Sequence, residues 1–269
     1  DMEFLITRQG RVLDNYFSYK NGKLAWAEVG QDERWSWSVN SNIVVYDMFT
    51  YKKKKLTSST KYFSPDISYD GEKIVVFQST PDLRYNLHIL SSEDGSLQKE
   101  IPNEHNFYYA YPKWSKNDEF IIAIARDKLG KNALVRIDPE NGDIQNITKF
   151  TNHQIGIPWQ ADDHIYFSAT FSGVDNIYAT KIEGDSIYRI TDDKIGAYTP
   201  SVNNSNTKLY YTDFSNLGSD VKVKPIDTSS WELAEVVEPA SMPEYDFIST
   251  EAEGGDITEN LEERVYETK

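Results

Sequence analysis

The sequence predicts an all-β protein, because three markers recur along the chain in the same order and at nearly equal spacing. One marker is an Asn just before an apolar segment, in steps of 44, 46 and 44 residues, at Asn42, Asn86, Asn132 and Asn176. A second is a strand that ends in an aliphatic residue, usually followed by Thr, in steps of 43 to 50 residues. The third is a tight turn rich in Asn, Asp and Gly before an apolar strand. Such agreement indicates a repeat protein.

Each repeat has the pattern of four short antiparallel strands. In the repeat that begins near residue 64, residues 73–78 are β-branched and aromatic, and a polar loop follows them. The segments 87–90 and 97–101 flank the hairpin turn Glu93-Asp94-Gly95. One four-stranded sheet cannot bury both of its faces, whereas sheets stacked around an axis bury them against each other. The sequence therefore predicts a β-propeller.

The repeats also predict how many blades the propeller has and where it ends. The last repeat lacks a clear fourth strand, and residues 3–7 form a lone strand with the fourth-strand marker Ile6-Thr7. We therefore expect a propeller over residues 1–227 in which the strand at 3–7 closes the ring by completing the last blade. The alternative is a six-bladed or larger ring whose missing strands lie upstream of Asp1. The five predicted blades begin near residues 15, 64, 111, 157 and 199.

The charge of the chain is concentrated at its C-terminal end. The 269 residues include 28 Lys and Arg and 43 Asp and Glu, which gives a net charge of −15. Residues 228–269 hold twelve acidic and two basic residues, and we predict that they form an acidic linker or a docking arm. Within them, residues 231–237 could add one edge strand. The acidic balance argues against nucleic acid as a partner.

Several classes of protein and of chemistry are excluded by composition. The chain has no Cys, so it has no disulfide and no thiolate chemistry. It has no apolar run of about 18 residues, so we predict no membrane-spanning helix. It shows no signal peptide and no initiator Met at Asp1, and we expect a processed chain or a piece of a longer one.

Two of the repeats resemble the TolB-type, WD-like propeller repeat. The segments at 64–74 (SPDISYDGEKI) and 111–120 (YPKWSKNDEF) are similar to its pattern, which reads roughly Pro-x-aromatic-Ser-Pro-Asp-Gly-Lys-x-aliphatic. Asn176-Ile177-Tyr178, followed by Tyr188 to Thr191, resembles the second half of the repeat. The resemblance covers about residues 3–227 and is specific for the fold.

The resemblance implies a propeller module that is linked to further domains. Similar propellers occur in the periplasmic partner of a lipoprotein, in front of α/β-hydrolase peptidases, and inside large envelope proteins of Bacteroidetes-like bacteria, which this sequence resembles most. Five repeats without a catalytic constellation, followed by an acidic segment, lead us to expect a non-catalytic binding or scaffold module of a larger bacterial cell-envelope protein. The resemblance implies that it is periplasmic or associated with the outer membrane. The partner would be a protein, a peptide, a small ligand or further domains of the same polypeptide. The alternative is the gating propeller of a serine peptidase whose catalytic domain lies outside this chain.

Candidate binding residues lie where such a propeller presents its fourth-to-first strand connections and its longest loop around the channel mouth. Two Trp in the loop at 30–42 could form a flat platform for a peptide or a sugar, or could cover the neighbouring blade. Trp114 and Trp159 belong to innermost strands and are predicted to be core. The predicted site consists of Trp35, Trp37, Glu104, His105, Tyr108, Tyr109, His153 and Tyr198.

No motif in the sequence indicates catalysis. There is no Gly-x-Ser-x-Gly, no His-Glu-x-x-His and no phosphate-binding Gly loop. His105 and His153 could ligate a metal, but their separation of 48 residues is the blade repeat and not a metal-binding spacing. We therefore predict no catalytic residue, no metal and no cofactor.

Overall fold

The computed structural model describes residues 4–13, 16–31, 34, 39–184 and 186–238 of the chain. These residues form five antiparallel sheets that follow one another along the sequence. Blades one and two each have four strands in sequential order. Blade one contains β1 (Ser18–Lys20), β2 (Lys23–Gln31), β3 (Val39–Asp47) and β4 (Lys52–Lys55). Blade two contains β5 (Tyr62–Ile67), β6 (Lys73–Ser79), β7 (Tyr85–Ser91) and β8 (Leu97–Ile101).

The remaining three blades differ in strand number. Blade three contains β9 (Tyr108–Trp114), β10 (Ile121–Arg126), β11 (Asn132–Ile137) and β12 (Ile144–Asn146). Blade four contains β13 (Trp159–Ala161), β14 (His164–Ala169), β15 (Asn176–Lys181) and β16 (Ile187–Arg189). Blade five contains β17 (Ala197–Val202), β18 (Lys208–Ser215) and β19 (Gly218–Pro225). A 3-10 turn at Thr228–Ser230 then leads to β20 (Glu232–Leu233), which pairs with β16. The predicted fold, a five-bladed all-β propeller, is confirmed.

The core consists of apolar layers between consecutive blades. Each layer takes β-branched and aliphatic side chains from the facing surfaces of two sheets, which removes both surfaces from water. Buried examples are Ile43 and Ile67 between blades one and two, Leu87 and Val135 between two and three, Ile122 and Phe167 between three and four, and Ile177 and Leu209 between four and five.

The hydroxyl of the Thr in the second marker accepts a hydrogen bond from a backbone N–H in the middle of its blade. In three blades, the Thr that follows the aliphatic residue accepts a hydrogen bond from a third-strand backbone N–H. A buried N–H without an acceptor is costly, so this bond explains why a hydroxyl recurs at the position. The three pairs, each 14 residues apart and with donor–acceptor distances of 2.9 Å, are Ile43–Thr57, Leu134–Thr148 and Ile177–Thr191.

The Asn of the first marker fixes the connection to the next blade. The Nδ2 of Asn132 donates to the carbonyl oxygen of His153 at 3.0 Å, and the Oδ1 of Asn176 accepts from the N–H of Asp193 at 2.8 Å. Both Asn side chains are buried at the start of a third strand. The buried amide therefore replaces regular backbone pairing where the chain leaves one sheet for the next.

The turns of the third marker join neighbouring blades. The Oδ1 and Oδ2 of Asp118 accept hydrogen bonds from the N–H groups of Tyr69 and Asp70, at 2.7 and 2.9 Å. The Nδ2 of Asn21 donates to the carbonyl oxygen of Asp70 at 2.7 Å. The first-to-second strand turns of blades one, two and three thus form a continuous chain of hydrogen bonds along one face.

The closing strand that the sequence predicts at 3–7 is not found. Residues 4–13 contain no strand, and within the described chain blade five ends at β19. The N-terminal segment instead lies against blade one, where the N–H of Val29 donates to the carbonyl oxygen of Arg11 at 2.7 Å. The N–H of Gly10 also donates to the Oε1 of Glu28 at 2.8 Å. These bonds hold the segment beside the first sheet.

The edge strand considered for residues 231–237 is present as β20. Trp231 lies beside it, with its ring centroid 5.2 Å from that of His164 and 5.9 Å from that of Tyr166. The compact unit formed by the propeller accordingly extends to Val237, rather than ending at residue 227. The predicted acidic arm lies outside the described residues, apart from its first part up to Glu238. No helix in the described segments has the length and apolarity to cross a membrane.

Candidate functional site

The first strands of all five blades surround one cavity of about 630 Å³. The cavity lies toward the ends of these strands, since Trp114 is the last residue of β9 and Tyr69 follows β5. This is the face of the first-to-second strand turns. The lining residues are 16–20, Asp66, Tyr69, Tyr111, Lys113, Trp114, 157–160 and 199–201.

A repeated bulge shapes the wall of the cavity. Ser64, Tyr111 and Thr199 each have a φ of 48° and each precedes a Pro, and the pairing of their strands shifts register at these points. A positive φ is uncommon outside glycine, and a bulge changes the direction in which the following side chains point. The residue after the Pro lines the cavity in four blades: Asp66, Lys113, Trp159 and Ser201.

Asp66 is the centre of a buried charge cluster in the cavity wall. Its side chain is 2% exposed. It accepts hydrogen bonds from the Ser18 hydroxyl at 2.9 Å, from the Nζ of Lys20 at 2.6 Å and from the Trp114 N–H at 2.9 Å. The Nζ of Lys113 lies 3.5 Å from its Oδ1. The cluster therefore joins blades one, two and three across the axis of the propeller.

The charges of the cluster and its burial shift the pKa values of Asp66 and Lys113. Burial by itself would raise the pKa of Asp66, but the charges of Lys20 and Lys113 and the hydrogen bonds to its oxygens hold that pKa below its ordinary value. Burial, together with the charge of Lys20, lowers the pKa of Lys113, although Asp66 acts in the opposite direction. With Asp66 and both lysines ionised, the cluster has a net charge of +1.

Aromatic rings flank both ammonium groups. The Nζ of Lys20 lies 4.2 Å from the centroid of the Tyr69 ring, and the Nζ of Lys113 lies 4.5 Å from that of Tyr16. The Nζ of Lys113 also donates to the Tyr16 hydroxyl oxygen at 2.6 Å. Burial and the nearby carboxylates raise the pKa of Tyr69 to about 12, so its hydroxyl is neutral at physiological pH. The cavity thus combines apolar surface with a small number of fixed polar groups, as ligand sites do.

Two predicted site residues lie at a separate, shallower cavity of about 370 Å³. Glu104 and His105 line it together with Phe107, and the His105 and Phe107 rings are stacked with centroids 5.1 Å apart. The Tyr108 ring instead packs against Phe77 of blade two, with centroids 4.5 Å apart. The structure therefore brings Glu104 and His105 together at this second cavity, and none of these three residues lines the central one.

Three other predicted site residues have internal partners. Tyr109 is buried between blades two and three, which raises its pKa, and its hydroxyl donates to the Oδ1 of Asn103 at 3.3 Å. The Nε2 of His153 is 2.8 Å from the carbonyl oxygen of Val237, so this ring nitrogen donates to the end of the compact unit. Tyr198 is half-buried and pairs with Asp175; burial and this carboxylate raise its pKa.

The predicted site and the central cavity therefore do not coincide. None of the six predicted residues in the fourth-to-first connections lines the central cavity, and Trp35 and Trp37 lie outside the described residues. Trp114 is buried, as predicted. The prediction that Trp159 is core was wrong: it is 36% exposed and faces the cavity, because β13 has only three residues and starts after a Pro.

Sequence reasoning missed Lys20, Asp66 and Lys113. A signal for two of them was present, since Asp66 and Lys113 occupy the same position of the repeat, directly after the Pro of Ser64-Pro65 and Tyr111-Pro112. A charged residue is unexpected at a position facing the propeller axis if that position only contributes to the core. Within the described chain, no group of three or more His, Asp or Glu side chains is arranged to hold a metal.

Comparison with known proteins supports the fold. No protein-family model and no curated protein matches the sequence. Among solved structures, a TolB protein from Agrobacterium tumefaciens is 17% identical with a TM-score of 0.59, over 81% of this chain and 78% of that one. The propeller domain of the Trilobed protease from Pyrococcus furiosus is 13% identical with a TM-score of 0.53, over 79% and 82%.

A peptidase of larger size also contains a similar propeller. The acylaminoacyl peptidase of Pyrococcus horikoshii is 14% identical with a TM-score of 0.52, over 80% of this chain but only 46% of that one. At these identities the likeness concerns the fold. The chain therefore has a propeller fold like that of TolB proteins and of peptidase propeller domains, and its function has to be argued from its own residues.

Proposed function

We propose that this chain is a non-catalytic binding module whose central cavity receives a small ligand or the end of a partner's chain. The observation that carries the proposal is the convergence of five first strands on one cavity of about 630 Å³. That volume is in the range typical of small-molecule sites, roughly 300 to 1,000 Å³. Its wall combines aromatic rings with the ionised cluster at Asp66.

The cavity supports binding better than it supports catalysis. The Ser18 hydroxyl, a potential nucleophile beside the charges, donates to Asp66 and accepts from the N–H of Ile67 at 3.1 Å. Within the described chain, no contact places Lys20 or Lys113 as the base of a Ser nucleophile. An activated nucleophile requires an effective base within hydrogen-bond reach, and the Asp66 carboxylate beside Ser18 is a weak base because its pKa is lowered. We therefore expect the purified chain to show no turnover of peptide, ester or glycoside substrates.

We further propose that the module belongs to a larger bacterial cell-envelope protein and that it meets a protein or peptide partner, or neighbouring domains, outside the cytoplasm. The support is the resemblance of its repeats to TolB-type propellers. The coding sequence on either side of this chain tests the proposal. Segments typical of an envelope protein support it, and a cytoplasmic enzyme on either side contradicts it.

A gating propeller of a serine peptidase is the second candidate. The observation that favours it is the match to a peptidase of which the propeller forms less than half. In this case the central cavity would be a passage for substrates instead of a binding site. An α/β domain with a Gly-x-Ser-x-Gly motif in the flanking coding sequence supports this candidate and rejects the scaffold function.

The binding function is tested by nuclear magnetic resonance shift mapping with three probes that share one ring but differ in charge: indole-3-acetate, indole-3-acetamide and tryptamine. We expect at least one probe to shift the backbone signals of residues 16–20, 66–69 and 111–114. Replacing Ser201, which lines the cavity, in a Ser201→Trp variant should remove these shifts by filling the space. The matched control Ser219→Trp, on an exposed position of β19, should retain them. Absence of shifts with all three probes would reject the proposal.

A further inference from the structure

We infer that the central cavity recognises its ligand through a carboxylate, which Lys20 and Lys113 hold. The inference rests on the proposed binding function and adds the chemical class of the ligand. It is carried by the charge of the cavity wall, by the position of the two ammonium groups and by the rings beside them.

The cavity wall carries one positive charge more than it can balance. Asp66 is the one acidic side chain among the described lining residues, and it faces two ammonium groups, at 2.6 and 3.5 Å. Its oxygens already accept from Ser18 and from the Trp114 N–H. Unpaired charge that is shielded from water is unfavourable. A single additional negative charge brings the cluster to neutrality, which favours a monoanion over a dianion such as phosphate.

Both ammonium groups can reach a bound ligand. The side chains of Lys20 and Lys113 are 15% and 14% exposed, and both line the cavity. Each ammonium has three N–H donors. Within the described chain, Lys20 directs one of them to Asp66, and Lys113 makes its short contact with the Tyr16 hydroxyl. Donors on both sides therefore remain for two oxygens of one carboxylate.

The rings beside the lysines select what the carboxylate is attached to. Tyr16 and Tyr69 lie over the two ammonium groups, and Trp159 is partly exposed in the same cavity. Flat apolar faces next to a charged anchor suit a ligand with a ring or an apolar group close to its acid. The chain as a whole has a net charge of −15, so retention of an anion requires this local positive site.

A purely structural role for the cluster predicts a different result. If Lys20, Asp66 and Lys113 only tie three blades together, the cavity has no preference for an acid over an amide of the same shape. The decisive comparison is therefore the dissociation constant of indole-3-acetate against that of indole-3-acetamide, measured by titration on the wild-type chain. We expect the acid to bind about tenfold more tightly and tryptamine to bind most weakly.

Lysine variants connect this preference to the two residues. Lys20→Met and Lys113→Met should each reduce the affinity for indole-3-acetate to about that for indole-3-acetamide. The matched control Lys53→Met removes a lysine that pairs with Glu28 outside the cavity and should leave both affinities unchanged. Circular dichroism and the melting temperature establish that each variant is folded. If a variant does not fold, the wild-type comparison decides alone.

Further pairs of probes distinguish two sources of the carboxylate, the C-terminus of a peptide and a sugar acid. The tripeptide Ala-Ala-Tyr is compared with its C-terminal amide, and glucuronate is compared with glucose. Tighter binding of the peptide acid identifies a chain end as the ligand type, and tighter binding of glucuronate identifies a sugar acid. Equal binding of acid and neutral form in all pairs, with shifts still located at the cavity, overturns the carboxylate inference but leaves the binding function standing. Absence of binding by every probe overturns both.

Discussion

Asp66 shows how a repeat protein places special chemistry at one position of a common framework. The residue after the repeated Pro faces the axis in four blades, and it is Asp, Lys, Trp and Ser in turn. The backbone is equivalent in blades two, three and five, where the residue before the Pro has a φ of 48°. The framework therefore fixes the direction of these side chains, while their identity determines what the cavity can bind.

The Asp66→Asn variant should be strongly destabilised. The substitution leaves Lys20 and Lys113 near one another without their carboxylate. Removing one partner of a buried ion pair typically costs about 3 to 5 kcal/mol. Urea unfolding measures this cost, and Glu140→Gln, which removes an exposed partner of Lys99, should change the free energy of unfolding by less than about 1 kcal/mol. An Asp66→Asn variant as stable as wild type would show that the cluster is not a structural tie.

The stability of the protein should also depend on pH through Asp66. Its pKa is below the ordinary value of 3.8 in the folded chain. The folded state therefore releases this proton more readily than the unfolded state, so the contribution is complete above pH 3.8 and is lost as the pH falls through the folded pKa. Free energies of unfolding between pH 5 and 2, the range in which paired carboxylates titrate, should decrease less steeply for Asp66→Asn than for wild type. Identical slopes would contradict the assigned pKa shift.

At the residue scale, the sequence predicted the core better than the site. Buried positions follow from apolar periodicity, and Trp114 is buried as predicted. The cavity residues depend on the bulge at Ser64 and Tyr111, because a positive φ reverses the side to which the next side chains point. Composition and spacing do not encode that angle, so Asp66 and Lys113 were not recognised as neighbours.

At the scale of elements, the recurring markers have physical roles that explain their spacing. In three blades the Thr after the fourth strand accepts from a third-strand N–H, and in blades three and four the Asn that begins the third strand fixes the connection that follows. Both roles require the two strands to be adjacent, so the spacing of the markers equals the length of a blade. This is why the strand order could be predicted from the sequence.

The hydroxyl of Thr148 should contribute measurably to stability. Thr148→Val keeps the shape but leaves the buried N–H of Leu134 without an acceptor. We expect a loss of about 1 to 3 kcal/mol in the free energy of unfolding. Thr148→Ser retains the acceptor and should cost less than Thr148→Val. Equal losses in the two variants would assign the effect to packing and contradict the role of the hydrogen bond.

The turn carboxylate of Asp118 should couple blades two and three. Asp118→Ala removes the acceptor of two N–H groups, those of Tyr69 and Asp70. At about 0.5 to 1.5 kcal/mol for each hydrogen bond, we expect a loss of about 1 to 3 kcal/mol. Asp118→Asn keeps one acceptor oxygen and should lose less. The free energy of unfolding in urea tests the order, and no difference between alanine and wild type would contradict the coupling.

The wrong prediction of a closing strand at 3–7 has a cause at this same scale. The marker Ile6-Thr7 predicts a fourth strand, but its Thr needs a third strand with the matching N–H. The third strand of blade five, β19, starts at Gly218 and contains no Asn of the first marker. The N-terminal segment has a competing set of hydrogen bonds with blade one, through Arg11 and Gly10.

At the scale of the whole molecule, the propeller extends ten residues beyond the boundary predicted from composition. The composition becomes strongly acidic at residue 228, but the compact unit continues to Val237. In this part of the chain, β20 pairs with β16 of blade four and the Trp231 ring packs beside His164. His153, which is predicted to bind a ligand or partner, donates to the carbonyl oxygen of Val237. Acidity is thus a poor guide to the end of this domain, since isolated apolar residues such as Trp231 anchor the segment.

Two truncations test this boundary. A chain that ends at residue 238 should keep the stability of the full chain within about 0.5 kcal/mol. A chain that ends at residue 227 loses the pairing of β20 and the ring contacts of Trp231, and should be about 2 to 4 kcal/mol less stable. Melting temperatures and urea midpoints provide the measurement. Equal stability of the two truncated chains would show that the propeller domain ends at residue 227.

The location of ligand-induced shifts on the folded chain decides whether the central cavity is the binding site. Indole-3-acetate is titrated into the isotope-labelled protein, and the perturbed backbone signals are assigned. The binding-module account predicts shifts that cluster at residues 16–20, 66–69, 111–114 and 157–160, around the central cavity. Shifts that cluster instead at Glu104, His105 and Tyr198, in the connections between blades, would contradict it.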